Sequence, residues 1–176
     1  MFSVVFPGQG SQKIGMAKDF FDKFEIVKKI FKNADDILEF PISKIILDGP
    51  EDQLNLTENT QPAIFLTSYS IFNVAKKEFG INFDKAQYIA GHSLGEYSAL
   101  WCFGALAFED TLKILKKRGR SMQEAVPANE GSMLAVLGSQ LSVVEKLIKE
   151  NVKDCFIANN NSPQQVVVSG LKKNID

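Results

Sequence analysis

The sequence predicts an α/β fold with a parallel-sheet core, followed by a smaller α+β unit. Residues 2–6 and 88–90 are short apolar segments that end in glycine-containing loops, which is typical of buried strands. Residues 110–122 have apolar side chains at helical spacing. Strands that alternate with helices favour the α/β class.

Two further segments lie between the strands. Residues 19–38 repeat phenylalanine, valine and isoleucine at helical spacing, which predicts one amphipathic helix. Pro41, Gly49 and Pro50 then interrupt the chain, and we expect a loop-rich connection there.

A buried helix is expected before the second strand. Its predicted start is residues 59–62, with Thr60 as the cap and a proline in the first turn, and its predicted end is Gly80. It carries few charges, which predicts burial on most sides. A further helix is expected at 96–103, directly after the second strand.

A composition shift at residues 126–131 predicts a domain boundary, so the chain divides into domains 1–127 and 128–176. The second domain has the pattern strand, helix, strand, turn, strand, helix start. These elements are expected at 133–137, 142–150, 155–158, 159–163, 165–168 and 171–176. This order begins a split β-α-β, ferredoxin-like unit that lacks one strand.

Composition excludes several function classes. The net charge is −1, so no global field recruits nucleic acid or an anionic membrane. His92 is the only histidine, and Cys102 and Cys155 stand far apart, so metal or redox motifs are not expected. We see no signal peptide or membrane-spanning segment, and we expect two buried, reduced cysteines in a cytoplasmic protein.

The strongest chemical signal is Gly91-His92-Ser93-Leu94-Gly95, between a predicted strand and a predicted helix. A nucleophilic serine must project from a sharp strand-to-helix turn, and the flanking glycines permit that turn. The helix N-terminus would favour negative charge on a thioester oxygen. The pattern indicates a nucleophile elbow in a hydrolase-like large domain. The alternative is that this short pattern occurs by chance and that Ser93 has no catalytic role.

Two other features carry possible chemistry. Residues 7–12, Pro-Gly-Gln-Gly-Ser-Gln, follow the first strand and could supply an oxyanion-hole amide, or form an ordinary turn. Of 20 basic residues, only Arg118 and Arg120 are arginines. A planar guanidinium can bind a carboxylate through two hydrogen bonds, although a solvated helix end is an equally good interpretation.

Six short motifs occur along the chain: PGQGSQ at 7–12, TQPA at 60–63, GHSLGEY at 91–97, RG at 118–119, MQEAVP at 122–127 and NSP at 161–163. In these motifs and their order, the sequence resembles the malonyl-CoA:acyl carrier protein transacylase family over essentially the whole chain.

The resemblance implies an activity in fatty-acid biosynthesis and a role for each matching residue. Ser93 would take malonate from malonyl-CoA as an ester, and the pantetheine thiol of acyl carrier protein would collect it. The amides of Gln9 and Leu94 would form the oxyanion hole, and Arg118 would pair with the malonyl carboxylate. Asn159 and Asn161 match asparagines near the active-site cleft and would bind substrate.

The resemblance also implies what the protein does not need. The resemblance predicts no cofactor, since the phosphopantetheine belongs to the carrier protein. It also predicts that the full-length protein is a monomer. Family members are longer, and their general base is a histidine after the ferredoxin-like subdomain. No such histidine occurs here, so we expect a fragment with little transferase activity alone, in which His92 packs behind the elbow.

Two alternatives stay open at this stage. A serine acyl-thioester hydrolase would use the same elbow and release the acyl group to water. A non-catalytic fragment could instead bind a carrier protein, and Lys113, Lys116 and Lys117 could then face an acidic partner.

Overall fold

The computed structural model of the protein describes residues 1–126 and 130–175. The chain divides into two compact units, Met1–Gln123 and Glu124–Asp176. The predicted domain boundary, between residues 127 and 128, lies outside the described residues.

The first unit contains a two-stranded sheet and seven helices among the residues that the structure describes. The elements are β1 (Phe2–Phe6), α1 (Lys18–Lys23), α2 (Glu25–Leu38), α3 (Ile42–Asp48), α4 (Glu51–Asn55), α5 (Thr57–Lys77), β2 (Ala86–Gly91), α6 (Gly95–Cys102) and α7 (Phe108–Glu124), with a 3₁₀ turn at Phe83–Lys85. The helix α7 extends one residue beyond the unit.

The two strands of this unit pair in parallel, as the sequence predicts. Val4 lies opposite Ile89, and Phe6 lies opposite Gly91. Parallel strands point their carboxyl ends toward the same edge of a sheet. The glycine-rich loop after β1 and the serine motif after β2 therefore emerge side by side.

The segment 19–38 forms two helices rather than the single helix that its spacing predicts. Phe24 separates α1 from α2 in an extended conformation (φ −121°, ψ 114°), and its ring packs against Phe20 and Phe79. The apolar spacing continues through the break, so periodicity alone could not detect it.

The predicted loop-rich connection at 41–50 is wrong, because residues 42–55 form the short helices α3 and α4. Ile42, Ile45 and Ile46 share one face of α3 and are all buried. Burial of that face stabilises a helix too short to be stable alone.

The long helix α5 begins earlier than predicted, at Thr57, and ends at Lys77. Thr60 is not its cap: the Thr60 hydroxyl lies inside the helix and donates to the carbonyl of Leu54 (2.6 Å). The expected burial is confirmed, since ten residues of α5 are buried. The core of the first unit packs around this helix, with Phe31, Phe65 and Leu66 fully buried.

The second unit has the elements β3 (Gly131–Leu137), α8 (Leu141–Asn151), β4 (Cys155–Ser162), β5 (Gln165–Leu171) and α9 (Lys172–Ile175). The sheet order is β3-β5-β4, and β5 is antiparallel to both neighbours. This is the predicted split β-α-β arrangement. Its small core includes Val144, Val166 and Val168.

The turn predicted at 159–163 is wrong, because β4 continues to Ser162. Asn159 and Asn160 pair with Val167 and Val166 of β5, and register irregularities on both sides accommodate these polar residues. Strand pairing therefore overrides the turn preference of asparagine.

The chain has two cysteines, Cys102 and Cys155. Both thiols are free, Cys155 is buried, and Cys102 is only partly buried, contrary to the expectation of full burial. Within 1–126 and 130–175, no helix is long and apolar enough to cross a membrane.

Candidate active site

Ser93 lies at the sharp turn between β2 and α6. Its φ is +54°, a left-handed conformation that costs a residue with a Cβ roughly 1–2 kcal/mol. The turn is held by hydrogen bonds from Gly95 N to His92 O (2.9 Å) and from Glu96 N to Ser93 O (3.1 Å). Ser93 is exposed while Leu94 is fully buried, so the elbow presents its hydroxyl to a ligand.

The two glycines of the motif permit close backbone contacts. A Cβ atom on Gly91 would lie 2.0 Å from the carbonyl of Gly95, and one on Gly95 would lie 2.5 Å from Phe6 O. Neither contact is possible for a larger residue. The elbow therefore packs directly against the end of β1.

The loop at residues 7–12 is fastened to the helices behind it. Gln12 Nε2 donates to Asn55 Oδ1 (2.9 Å), and Gln9 Nε2 donates to Thr57 Oγ1 (3.3 Å). His92 N donates to Phe6 O (3.1 Å), which ties the end of β1, where this loop begins, to the elbow.

The backbone N–H groups of Gln9 and Leu94 have no acceptor among the described residues. One N–H follows β1 and the other opens α6. Unpaired amide donors at the carboxyl edge of a parallel sheet can stabilise an anionic oxygen.

Arg118 reaches this site from α7. Its Nη2 donates to Ser93 Oγ (3.2 Å), and its Nη1 donates to Gln61 Oε1 (2.8 Å). The guanidinium also lies 5.8 Å from the ring centroid of Tyr97 on α6, within the range of a cation–π contact. The structure thus brings together Ser93 and Arg118, which are 25 positions apart in sequence.

Arg118 pairs with no carboxylate of the first unit within the part of the chain that the structure describes. Lys116, two residues earlier, contacts Glu58 (3.6 Å) and Asn59 Oδ1 (2.7 Å). The charge of Arg118 therefore stays available for an anionic ligand, whereas that of Lys116 is already balanced.

The helices α5 and α7 touch at Gly119. A Cβ atom there would lie 2.4 Å from Thr57 O, so the backbones approach as closely as glycine allows. The Asn59–Lys116 and Gln61–Arg118 contacts join the same two helices.

His92 is exposed, and its imidazole lies beside the first loop: a Cβ on Gly8 would be 2.4 Å from His92 Nδ1. Ser93 Oγ accepts a hydrogen bond from Arg118 Nη2. The imidazole packs against Gly8, but the residue is not buried.

The remaining predicted residues belong to the second unit or to the surface of α7. Asn159 and Asn161 are exposed on β4 of the second unit, where Asn161 Nδ2 donates to Gln165 Oε1 (3.1 Å), and their role stays a prediction. In the lysine patch, Lys113 pairs with Glu109 and Lys116 is largely covered, so the three lysines are not one free cationic surface.

Sequence reasoning gave Gln61 and Thr57 no role at the site. Gln61 is fully buried in α5, and a buried amide requires hydrogen-bond partners. The need of a buried glutamine for a hydrogen-bond partner could have indicated a role for Gln61, but the partner, Arg118, lies 57 positions away in the sequence.

A site of this kind, with an elbow serine, unpaired amides and an adjacent arginine, is suited to acyl transfer. Residues 3–176 match the family model described as acyl transferase domain, and the chain belongs to this family.

Named relatives refine the comparison. The chain is 43% identical over 175 residues to the malonyl CoA-acyl carrier protein transacylase of Bacillus subtilis (strain 168), covering 98% of this chain and 54% of the relative. It therefore spans about half the length of the curated relatives that it matches.

Solved structures agree in fold. The acyl-carrier-protein S-malonyltransferase of Bartonella henselae aligns with a TM-score of 0.92 at 41% identity, covering 99% of this chain and 57% of that one. A malonyl-transacylase in complex with a type II PKS acyl-carrier protein aligns with a TM-score of 0.90 at 38% identity, covering 99% of this chain and 56% of that one.

Proposed function

We propose that this chain carries the nucleophile of an acyltransferase that moves a malonyl group from malonyl-CoA to the pantetheine thiol of acyl carrier protein. The observation that carries the proposal is Arg118, whose guanidinium lies 3.2 Å from Ser93 Oγ and pairs with no carboxylate of the described first unit. The names of the relatives support the same substrates.

The reaction would proceed in two ester-exchange steps. Ser93 Oγ attacks the thioester carbonyl and loses its proton to a base, the C–S bond breaks, and coenzyme A leaves as a thiol after taking up a proton. The carrier's thiol then loses its proton to the base and attacks the carbonyl of the seryl ester, the C–O bond to Ser93 breaks, and Ser93 Oγ takes up a proton. The serine itself carries the acyl group, so neither step uses a cofactor.

The amides of Gln9 and Leu94 would stabilise the oxyanion of each tetrahedral intermediate. Their lack of other acceptors among the described residues supports this role. The strand–elbow–helix arrangement also supports our description of the first unit as hydrolase-like.

Arg118 would select the acyl group. In a malonyl ester the free carboxylate is separated from the attacked carbonyl by one methylene group, so a cation beside Ser93 Oγ can reach it. The planar guanidinium can donate two parallel hydrogen bonds to that carboxylate. An acetyl group offers no such partner.

The base that accepts the Ser93 proton is not assigned to His92. A general base must lie within about 3 Å of the hydroxyl, and Ser93 Oγ bonds to Arg118 instead. The family resemblance assigns this role to a histidine that does not occur in these 176 residues. Asn159 and Asn161 are proposed to help bind substrate on the same basis.

Mass spectrometry of the chain after incubation with malonyl-CoA tests the proposal. Imidazole is added in parallel samples as an external base. We expect one malonyl adduct on the peptide containing Ser93, formed faster with imidazole, and none in Ser93→Ala. Adduct formation that persists in Ser93→Ala would remove Ser93 from this role.

A further inference from the structure

We infer that Gln61 is a positioning residue: its neutral side-chain carbonyl holds Arg118 beside Ser93 without cancelling the arginine's charge. This inference rests on the proposed function, because it concerns how Arg118 stays available for the malonyl carboxylate.

Both ends of the Gln61 amide bind the same helix. Oε1 accepts from Arg118 Nη1 (2.8 Å), and Nε2 donates to Met122 Sδ (3.3 Å). Arg118 and Met122 are one turn apart on α7. Guanidinium groups only donate and thioethers only accept, so the amide has one orientation that satisfies both partners.

Burial makes this contact rigid. Gln61 is fully buried, and an unpaired buried amide is costly. The two helices that the contact joins, α5 and α7, are in close backbone contact at Gly119. One edge of the guanidinium is therefore held by Gln61, and the opposite amino group faces Ser93.

The important property of the Gln61 side chain is that it carries no charge. A glutamate at this position would also bind Arg118, and more tightly, but its negative charge would compete with the ligand carboxylate. The same helix does use an acid toward α7 elsewhere, where Glu58 approaches Lys116. At Gln61 an amide stands in the corresponding place, opposite the arginine that contacts the nucleophile.

The test compares the binding of malonyl-CoA and acetyl-CoA by calorimetry in the unmodified chain and three variants. Gln61→Glu keeps the shape and adds a charge, and Gln61→Met keeps the length and removes the acceptor. The matched control is Asn59→Asp, which places a new carboxylate on the same turn of α5 but opposite Lys116.

We expect the preference for malonyl-CoA over acetyl-CoA to fall about tenfold or more in Gln61→Glu. A smaller fall is expected in Gln61→Met and less than about threefold in Asn59→Asp. If the unmodified chain prefers malonyl-CoA and Gln61→Glu keeps that preference within twofold, the inference is wrong and the proposed function stands. If the unmodified chain shows no preference, the assigned role of Arg118 fails, and the inference fails with it.

A second measurement needs no substitution, in case the buried variants do not fold. The chain has only two arginines, so selective ¹⁵N-arginine labelling yields two side-chain Nε–H signals, from Arg118 and the exposed Arg120. We expect the Arg118 signal to show a high order parameter and to shift when malonate is added. An Arg118 signal with the low order parameter of a freely moving side chain would overturn the inference.

Discussion

The helical core of the first unit and its two-stranded sheet differ sharply in how they are covered. Phe65 on α5 is fully buried, whereas Val5 on β1 is 72% exposed and Tyr88 on β2 is 67% exposed. The site lies where these regions meet, with Ser93 supplied by the sheet and Arg118 by the helices. The nucleophile is held by backbone geometry, and the cation is held by side-chain contacts with a buried helix.

The largest effect is expected from Gly95→Ala, which displaces the backbone of the elbow next to β1. The added methyl group would lie 2.5 Å from Phe6 O, so the elbow must separate from β1. A displacement of about 1 Å at a reacting group can cost about a hundredfold in rate. We expect that loss in the rate of Ser93 acylation, followed by mass spectrometry.

Gly80→Ala is the control for this substitution. Gly80, unlike Gly95, has a positive φ (+65°), and its Cβ position is open, so this alanine adds backbone strain without a close contact. If both alanines slow acylation equally, close packing at the elbow is not the cause.

Phe65→Ala tests the helical side. The Phe65 ring lies 5.8 Å from Phe108 and 6.1 Å from Trp101, and its loss should lower the free energy of unfolding by about 3–5 kcal/mol. The matched change Tyr88→Ala, on the exposed strand face, should cost less than about 0.5 kcal/mol. Urea denaturation measures both. Equal losses in the free energy of unfolding would show that the strand face is covered in solution. The helical core and the sheet would then not differ in burial.

Thr60→Val sharpens the comparison within α5. The buried hydroxyl donates to Leu54 O at 2.6 Å, so replacing it with a methyl group leaves that carbonyl short of a donor and should cost about 1–2 kcal/mol. Thr57→Val, at the exposed contact with Gln9, should cost less than about 0.5 kcal/mol. The prediction fails if the two substitutions are equivalent in thermal denaturation.

The smallest effect concerns Cys102, at the end of α6. Burial raises the pKa of the Cys102 thiol above its usual value, and nearby Lys76 lowers it by a smaller amount. The folded chain then holds the thiol proton more firmly than the unfolded chain. This contribution to stability is present below the unfolded pKa and is lost as pH rises through the folded one.

Alkylation with iodoacetamide across a pH series measures this difference, because only the thiolate reacts. The midpoint for Cys102 should lie at higher pH in the folded chain than in the same chain unfolded in urea. An equal or lower midpoint in the folded chain would contradict the predicted direction.

Local signals predicted much of the site but less of the surrounding helices. The Gly91–Gly95 motif identified the elbow because its requirements are met by residues adjacent in sequence. The break at Phe24 and the helices at 42–55 were missed because packing against distant residues decides them. Asn159 was expected in a turn, yet pairing with β5 places it in a strand.

The sequence by itself determined the order of the strands and helices around the elbow, the candidate nucleophile Ser93 and the candidate cation Arg118. These follow from short patterns whose chemistry is local. Only the tertiary structure decided that Arg118 reaches Ser93 and that Gln61 holds it there. Those contacts join residues 25 and 57 positions apart, and no local preference specifies which distant side chain will satisfy a buried amide or a guanidinium.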